Sequence, residues 1–289
     1  MEVRFWGVRG SVAASGSHVA RTGGNTPCVE VTSQGHRIIL DAGTGLRGLG
    51  DAMMKEGKAV QSTMLWSHLH WDHVQGFPFF TPAYVPTSQL SLYGPGANGE
   101  QALRDVLTYQ MTPPSFPVPI TTMRSKMTFH SALHGSAIDV GPFVITPFDL
   151  PHPQGCLGYR IEADGKIFVY ATDVELSLAN LSKETGGFFE GADALCLDAQ
   201  YTPDEYAGLG GMSKKGWGHS TMVDAAQVAF ATDVKRLLTF HHDPAHNDDT
   251  VEAMAEEARN YFPDTEPARE GKRMRLGEPT LVTQIPQVA

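Results

Sequence analysis

The sequence predicts a mixed α and β protein with a layered sheet core, on three observations. Short apolar runs punctuated by Gly, Pro and Asp recur along the chain, two pairs of these runs are joined by two-residue turns, and stretches of helical periodicity are interspersed with them. Residues 29–33 and 36–40 flank Gln34-Gly35, and residues 160–163 and 166–170 flank Asp164-Gly165; turns of this kind join antiparallel strands. Further strands are expected at 63–66, 143–150, 194–197 and 236–240. Helices are expected at 100–110, at 222–231 after Ser220-Thr221, and at 250–261 after Asp248-Asp249, where the polar residues suit N-caps. No linker divides the 289 residues, so a single domain over 1–289 is expected. The segment Met111-Thr112-Pro113-Pro114-Ser115-Phe116-Pro117-Val118-Pro119 cannot be interior helix or central strand, because its prolines lack donors and fix φ. It reads as an extended loop, either a rigid surface connector or a substrate-facing flap with Phe116 at its tip.

Composition narrows the function classes. With 41% hydrophobic residues, 19% charged residues and three cysteines, the chain can build a large core and is neither disordered nor a small disulfide scaffold. A formal charge of -10 argues against a general polyanion-binding surface, which needs Lys and Arg arrayed in a patch. Nucleic acid could then be a substrate only if held locally. The chain opens without a basic region followed by an apolar one, and no run approaches about 18 uninterrupted apolar residues, so neither a secretion leader nor a membrane span is expected. Cys28, Cys156 and Cys196 are widely spread and unpaired in sequence, which fits a reducing compartment, and the cytoplasm is the expected location.

Five strand-like runs deliver a His or Asp at their carboxyl ends. His68, His70, Asp72 and His73 follow the run at 63–66, His152 follows 143–150, Asp173 follows the run ending at Tyr170, Asp198 follows 194–197, and His241 follows 236–240. Neighbouring strand ends share one rim of a sheet, so convergence of these side chains is the economical expectation. On extended backbone His68 and His70 point to the same side, and a turn at Trp71 can present Asp72 and His73 to an adjacent position. Four such ligands in six residues suit two cations better than one, and imidazole with carboxylate suits zinc, manganese or iron in an open, catalytic site. His18, His36, His130 and His134 stand alone and read as surface or capping residues. Asp173 and Asp198 each have a bland alternative as a cap, and Arg9 reads as a solvated loop residue or a bidentate phosphate contact.

These residues, together with Asp41-Ala42-Gly43-Thr44-Gly45 and the run Ser67-His68-Leu69-His70-Trp71-Asp72-His73-Val74-Gln75-Gly76, resemble the metallo-β-lactamase-fold hydrolases over nearly the whole chain. The resemblance implies an α+β, four-layer αββα sandwich with two divalent cations between the sheets, zinc ahead of manganese or iron. Carried over by position, His68, His70 and His152 would hold one cation, Asp72, His73 and His241 the second, and Asp173 would bridge them. His242 follows His241, so either imidazole could be the ligand; strand alternation admits only one, and alignment of the strand favours His241.

Within the superfamily, Gly218-His219-Ser220-Thr221 leading into 222–231, then Leu237-Leu238-Thr239-Phe240-His241, is similar to the phosphodiesterase branch. That branch includes the tRNA 3′-end-processing ribonuclease and the cyclic-phosphate phosphodiesterases of phosphonate metabolism. Phe5-Trp6-Gly7-Val8-Arg9-Gly10-Ser11 and Gly23-Gly24-Asn25-Thr26-Pro27-Cys28 resemble a subgroup of stand-alone hydrolases and cyclic-nucleotide phosphodiesterases. The likeness implies a metal-bridging hydroxide as nucleophile, Asp72 accepting its proton, His219 as general acid, and Asp198 setting the His219 tautomer. A small cyclic or linear phosphodiester is the expected substrate, with no extended nucleic-acid surface, no membrane partner and room for a homodimer. The alternatives are a lactone or thioester hydrolase on the same metals, a tRNA 3′-processing-like endoribonuclease, demoted because no long Gly- and basic-rich insertion is seen, and a metal-bearing sensor without turnover.

Overall fold

The strands of this chain form two sheets, each with strands buried on one face and strands buried on both, described here for residues 1–277 from a computed structural model. In chain order the strands are β1 (Glu2–Gly7), β2 (Cys28–Ser33), β3 (His36–Leu40), β4 (Gln61–Leu65), β5 (Gln89–Pro95), β6 (Lys126–Ala132), β7 (Ile138–Val140), β8 (Phe143–Leu150), β9 (Cys156–Ala163), β10 (Lys166–Ala171), β11 (Ala194–Asp198), β12 (Leu237–Phe240), β13 (Thr265–Pro267) and β14 (Arg273–Arg275). The first sheet has the order β14-β1-β2-β3-β4-β5-β6, the second β13-β12-β11-β10-β9-β8-β7. β1 buries every second residue, whereas β11 and β12 bury every residue, as strands covered on both faces must.

The helices are α1 (Gly45–Lys55), α2 (Trp71–Val74), α3 (Gly99–Gln110), α4 (Lys183–Phe189), α5 (Pro203–Ala207), α6 (Met222–Ala231) and α7 (Asp248–Ala258). Between the sheets, Val3, Phe5, Val31 and Leu40 meet Ile145, Tyr159, Phe168 and Phe240. On one outer face Leu46 and Leu49 of α1 and Leu103 and Leu107 of α3 share a cluster with Ile39, Met64 and Leu92. On the other, Ala225 and Val228 of α6 and Met254 of α7 share one with Leu195, Leu197 and Leu237. The result is the four-layer αββα sandwich, α+β in class. Cys28, Cys156 and Cys196 are buried and free, and no helix among the described residues is long and apolar enough to cross a membrane.

Both expected hairpins form. Gln34 and Gly35 have φ of 47° and 79°, Asp164 and Gly165 of 55° and 67°, the double positive pair that matches the twist of antiparallel strands. The helix at 222–231 has its expected bounds, with the Thr221 side chain accepting from the Asp224 N–H. The helix expected at 250–261 instead spans Asp248–Ala258, because Asn247 is the cap and accepts from Thr250 N–H. Asp248 and Asp249 therefore occupy its first turn, where negative charge favours the helix dipole. In the proline-rich segment Phe116 meets Phe79 edge-on at 5.7 Å, and Phe116 and Val118 pack against the outer cluster, so the segment is a connector laid on the α-layer.

Arg9 is neither solvated nor free to hold a phosphate. It is fully buried, its Nε donating to Gly23 O at 2.8 Å and its Nη1 to Asp243 O at 3.0 Å and His246 O at 2.7 Å. Carbonyls of two loops converge on one guanidinium, and no other side chain offers that fork of donors. Arg9→Met is expected to lower the unfolding free energy by about 3 kcal/mol in urea titration, since it strands buried carbonyls, and Arg9→Lys to restore little of it. A loss below about 1 kcal/mol for Arg9→Met would contradict the strut.

Candidate metal centre

The carboxyl ends of the strands place the site. β10, β11 and β12 run parallel, and β8, two antiparallel steps from β10, runs the same way, so His152, Asp173, Asp198 and His241 leave the second sheet at one edge. β4 delivers the opposing cluster from the first sheet. Beyond it Trp66 is fully buried and donates to His73 O at 3.0 Å, the chain bends at Ser67, and His70 is again extended before the single turn of α2. That turn puts Asp72 and His73 beside His68 and His70.

Two groups of side chains result, His68 with His70 and His152, and Asp72 with His73, Asp173 and His241, each with ligand atoms within 4.8 Å of one another. Asp173 joins them. Its Oδ1 is 3.7 Å from His68 Nε2 and 3.3 Å from His241 Nε2, and its Oδ2 is 3.2 Å from His73 Nε2. Asp72 Oδ2 is 3.3 Å from both His73 Nε2 and His241 Nε2 and accepts from Ser11 N–H at 2.8 Å.

The outer nitrogen of every imidazole in the two groups has an oxygen to donate to. His68 Nδ1 is 3.1 Å from Ser67 Oγ, His70 Nε2 is 3.0 Å from Gln154 Oε1, and His73 Nδ1 is 2.9 Å from Asp41 Oδ2. His152 Nδ1 is 2.9 Å from Gly218 O and His241 Nδ1 is 2.9 Å from Gln200 Oε1. A proton on each outer nitrogen leaves the inner one with a lone pair facing the gap. There His70 Nδ1 and His152 Nε2 face each other at 3.4 Å, and His68 Nε2 and His73 Nε2 are buried without a hydrogen bond. Five inward imidazole nitrogens and two carboxylates could hold borderline divalent cations, so the residues present fit the metals that the fold implies.

The electrostatics agree. Burial pushes the pKa values of His68 and His152 down. Burial would raise Asp173, but His241, His73 and His68 hold it well below the usual carboxylate range; Asp72 is held down likewise by His73 and His241. Against its own burial, His73 is pushed well up by Asp72, Asp173 and Asp41, so this point favours positive charge.

Asp173 and His241 reach their positions with φ of 51° and 60°, in the left-handed region that non-glycine residues rarely adopt. This turn, rather than strand alternation, separates His241 from His242. The His242 ring donates from Nε2 to Ala268 O at 3.1 Å, and burial pushes its pKa down to about 3. Gly10 permits the arrangement, since a Cβ there would collide with the His241 ring.

Asp198, at the end of β11, accepts from His219 Nδ1 at 2.7 Å and from Ser220 N–H at 3.1 Å. Burial would lower His219, but Asp198 outweighs it and the pKa stands at about 9. The His219 ring stacks on His241 with centroids 4.9 Å apart. All the sequence-predicted residues, His68, His70, Asp72, His73, His152, Asp173, Asp198, His219 and His241, thus meet in one region. His18 and His36 are exposed, and His134 pairs with Asp149 and Glu184.

Four supporting residues escaped the sequence reading. Asp41 accepts from Ser67 N–H, Ser67 Oγ–H and Tyr170 O–H, each at 2.8 Å, in addition to His73. Gln200 and Gln154 hold His241 and His70. Glu175 accepts from Gly216 N–H and Gly218 N–H at 2.9 Å, pinning the backbone that orients His152 and carries His219. Only Asp41 and Glu175 left a trace, in the Asp-Ala-Gly run and in lying two residues past Asp173.

Residues 36–242 match the family model of the beta-lactamase superfamily domain, and the chain belongs to that superfamily. It is a metal-dependent hydrolase of the metallo-β-lactamase fold. A ribonuclease Z of Gemmatimonas aurantiaca is 23% identical over 316 residues, covering 95% of each chain. The metallo-β-lactamase fold protein YhfI of Bacillus subtilis superimposes with a TM-score of 0.71 at 21% identity, over 94% of this chain and 98% of that one. A diphosphatase of the PhnP family gives 0.68 at 18% identity, over 95% and 97%. The two structural likenesses establish the fold.

Asp41→Asn keeps a residue tolerant of the φ of 60° found there but turns an amide N–H₂ toward donors. It is expected to weaken metal affinity by about ten- to a hundredfold in competition with a chelator. Unchanged affinity would remove Asp41 from the support of His73.

Proposed function

We propose that the protein is a dinuclear metal-dependent phosphodiesterase acting on a small cyclic or linear phosphodiester. The observation that carries this reading is the His219–Asp198 pair, 2.7 Å apart and stacked against His241, because it sets a proton donor beside the gap between the carboxylates. Two divalent cations held by His68, His70 and His152 and by Asp72, His73 and His241, with Asp173 shared, would supply a nucleophile at neutral pH and neutralise a phosphoryl oxygen. Asp72, its Oδ2 fixed by Ser11 N–H, is placed to orient the attacking water and take its proton. His219 keeps its Nδ1 proton on Asp198 and presents Nε2 to the departing oxygen, which needs a proton as its bond to phosphorus breaks. His219 also lies two residues before the Thr221 cap of α6, a helix end that favours anions.

The ribonuclease Z name of the relatives favours an RNA substrate as a second reading. The net charge of -10 weighs against a long polyanion and toward a small one. A lactone or thioester hydrolase would use the same cations without needing His219 as an acid. Zinc, ahead of manganese or iron, is the cation this donor set suits.

With bis(p-nitrophenyl) phosphate as substrate, His219→Ala is expected to keep its metal and lose at least about ten-fold in turnover. Equal loss on a lactone, or no loss on the diester, would contradict the assignment. Asp173→Ala is expected to lower both metal content and rate; full loading by elemental analysis would deny it a bridging role.

A further inference from the structure

Outside the metal centre, the outer face of β1 carries cations that the chain itself leaves without an anion. Val3 and Phe5 face the core between the sheets, which sends Glu2, Arg4 and Trp6 to the other side. With β2, β3 and β14 beside them and α1 along one flank, they line a groove of about 170 Å³. Clefts for drug-sized ligands start at about 300 Å³, so this one suits a small ion or a single terminal group.

Two arginines meet in the groove. Arg4 stands opposite Arg273 in the antiparallel register of β1 and β14, an arrangement in which like charges repel. The Arg4 guanidinium lies over the Trp6 ring, 3.7 Å from its centre, and its Nε is buried without a hydrogen bond. Neither arginine has an ion pair or a side-chain hydrogen bond among the described residues. The carboxylates nearby are committed to other donors. Glu30 accepts from Trp6 Nε1 at 2.9 Å on one oxygen and from Arg37 Nε at 2.6 Å on the other, Glu56 accepts from Arg37 Nη2 at 2.6 Å, and Glu2 pairs with Arg275 at 3.3 Å. Burial and Arg273 push the Arg4 pKa below its ordinary value, and Glu30 and Glu2 do not make up the difference.

An anion with two negative charges and several acceptor oxygens would satisfy both guanidinium groups at once. A phosphate takes two parallel N–H bonds from the edge of one guanidinium and keeps oxygens for a second. A carboxylate carries one charge and would neutralise one arginine only.

We propose that this groove is a binding site for a phosphate dianion, free or as the terminal group of a phosphate monoester, held between Arg4 and Arg273 and separate from the metal centre. The site stands whatever the reaction at the metals.

Equilibrium dialysis of the metal-loaded protein against inorganic phosphate at low ionic strength tests it. Arg273→Gln, at an exposed position on an edge strand, and Arg4→Gln are each expected to bind one phosphate fewer per chain than the wild type at saturation, with metal content unchanged. Acetate is expected to displace that phosphate about tenfold less readily than sulfate does, since it brings one charge and not two. Ribose 5-phosphate as competitor separates the two sources: displacement assigns the site to the terminal group of an ester, no displacement assigns it to the free ion, and either upholds it. The same number of phosphates on the wild type and on Arg273→Gln, or displacement by acetate as ready as by sulfate, would overturn the inference.

Discussion

Lone pairs gathered at one sheet edge, part of them buried, are the constraint on which the rest of this structure depends. His70 Nδ1 and His152 Nε2, both half-buried, point at each other, while the buried His68 Nε2 and His73 Nε2 point at Asp173, and Asp72 and Asp173 share the same enclosed space. Acceptors gathered in this way repel one another, and those of the inner group are cut off from water, at a free-energy cost that protons or cations offset. The surrounding hydrogen bonds do not relieve that cost. Asp41, Gln154, Gln200, Ser67 and the Gly218 carbonyl occupy the outer nitrogens and hold the inner ones in the arrangement that a metal requires.

The sandwich supplies rigidity for this purpose. Two sheets converge at one edge, and the residues there sit on backbone that the chain would not choose by itself: Asp41, Asp173 and His241 all have φ between 51° and 60°. Such conformations persist only where surrounding structure over-determines them. Fully buried neighbours on both sheets, the Trp66 anchor and the bare face of Gly10 provide that determination. Glu175 extends it outward, so the loop bearing His219 is fixed by the same framework as His152.

Legibility in the sequence followed contact distance along the chain. His68, His70, Asp72 and His73 fall in six residues and announce their chemistry directly, and His152, Asp173, Asp198 and His241 were accessible because each follows an apolar run that ends at the same sheet edge. The hairpins were readable from two residues each. Gln154 meets His70 from 84 positions away and nothing local marks it, whereas Asp41 meets His73 from 32 and shows only as part of the Asp-Ala-Gly run. Arg9 was misread for a deeper reason: its partners are backbone carbonyls up to 237 residues distant, and a carbonyl carries no sequence signature. His241 and His242 could not be separated by alternation because the strand ends at Phe240 and a left-handed residue follows.

Metal stoichiometry tests the central constraint most directly. Elemental analysis of protein saturated with zinc or manganese, paired with thermal unfolding before and after chelation, separates the outcomes. About two divalent ions per chain, and a melting temperature that falls when they are stripped, follow from lone pairs that need cations to coexist. A folded chain that binds no divalent ion at saturation, or that melts at the same temperature with and without chelator, would contradict it.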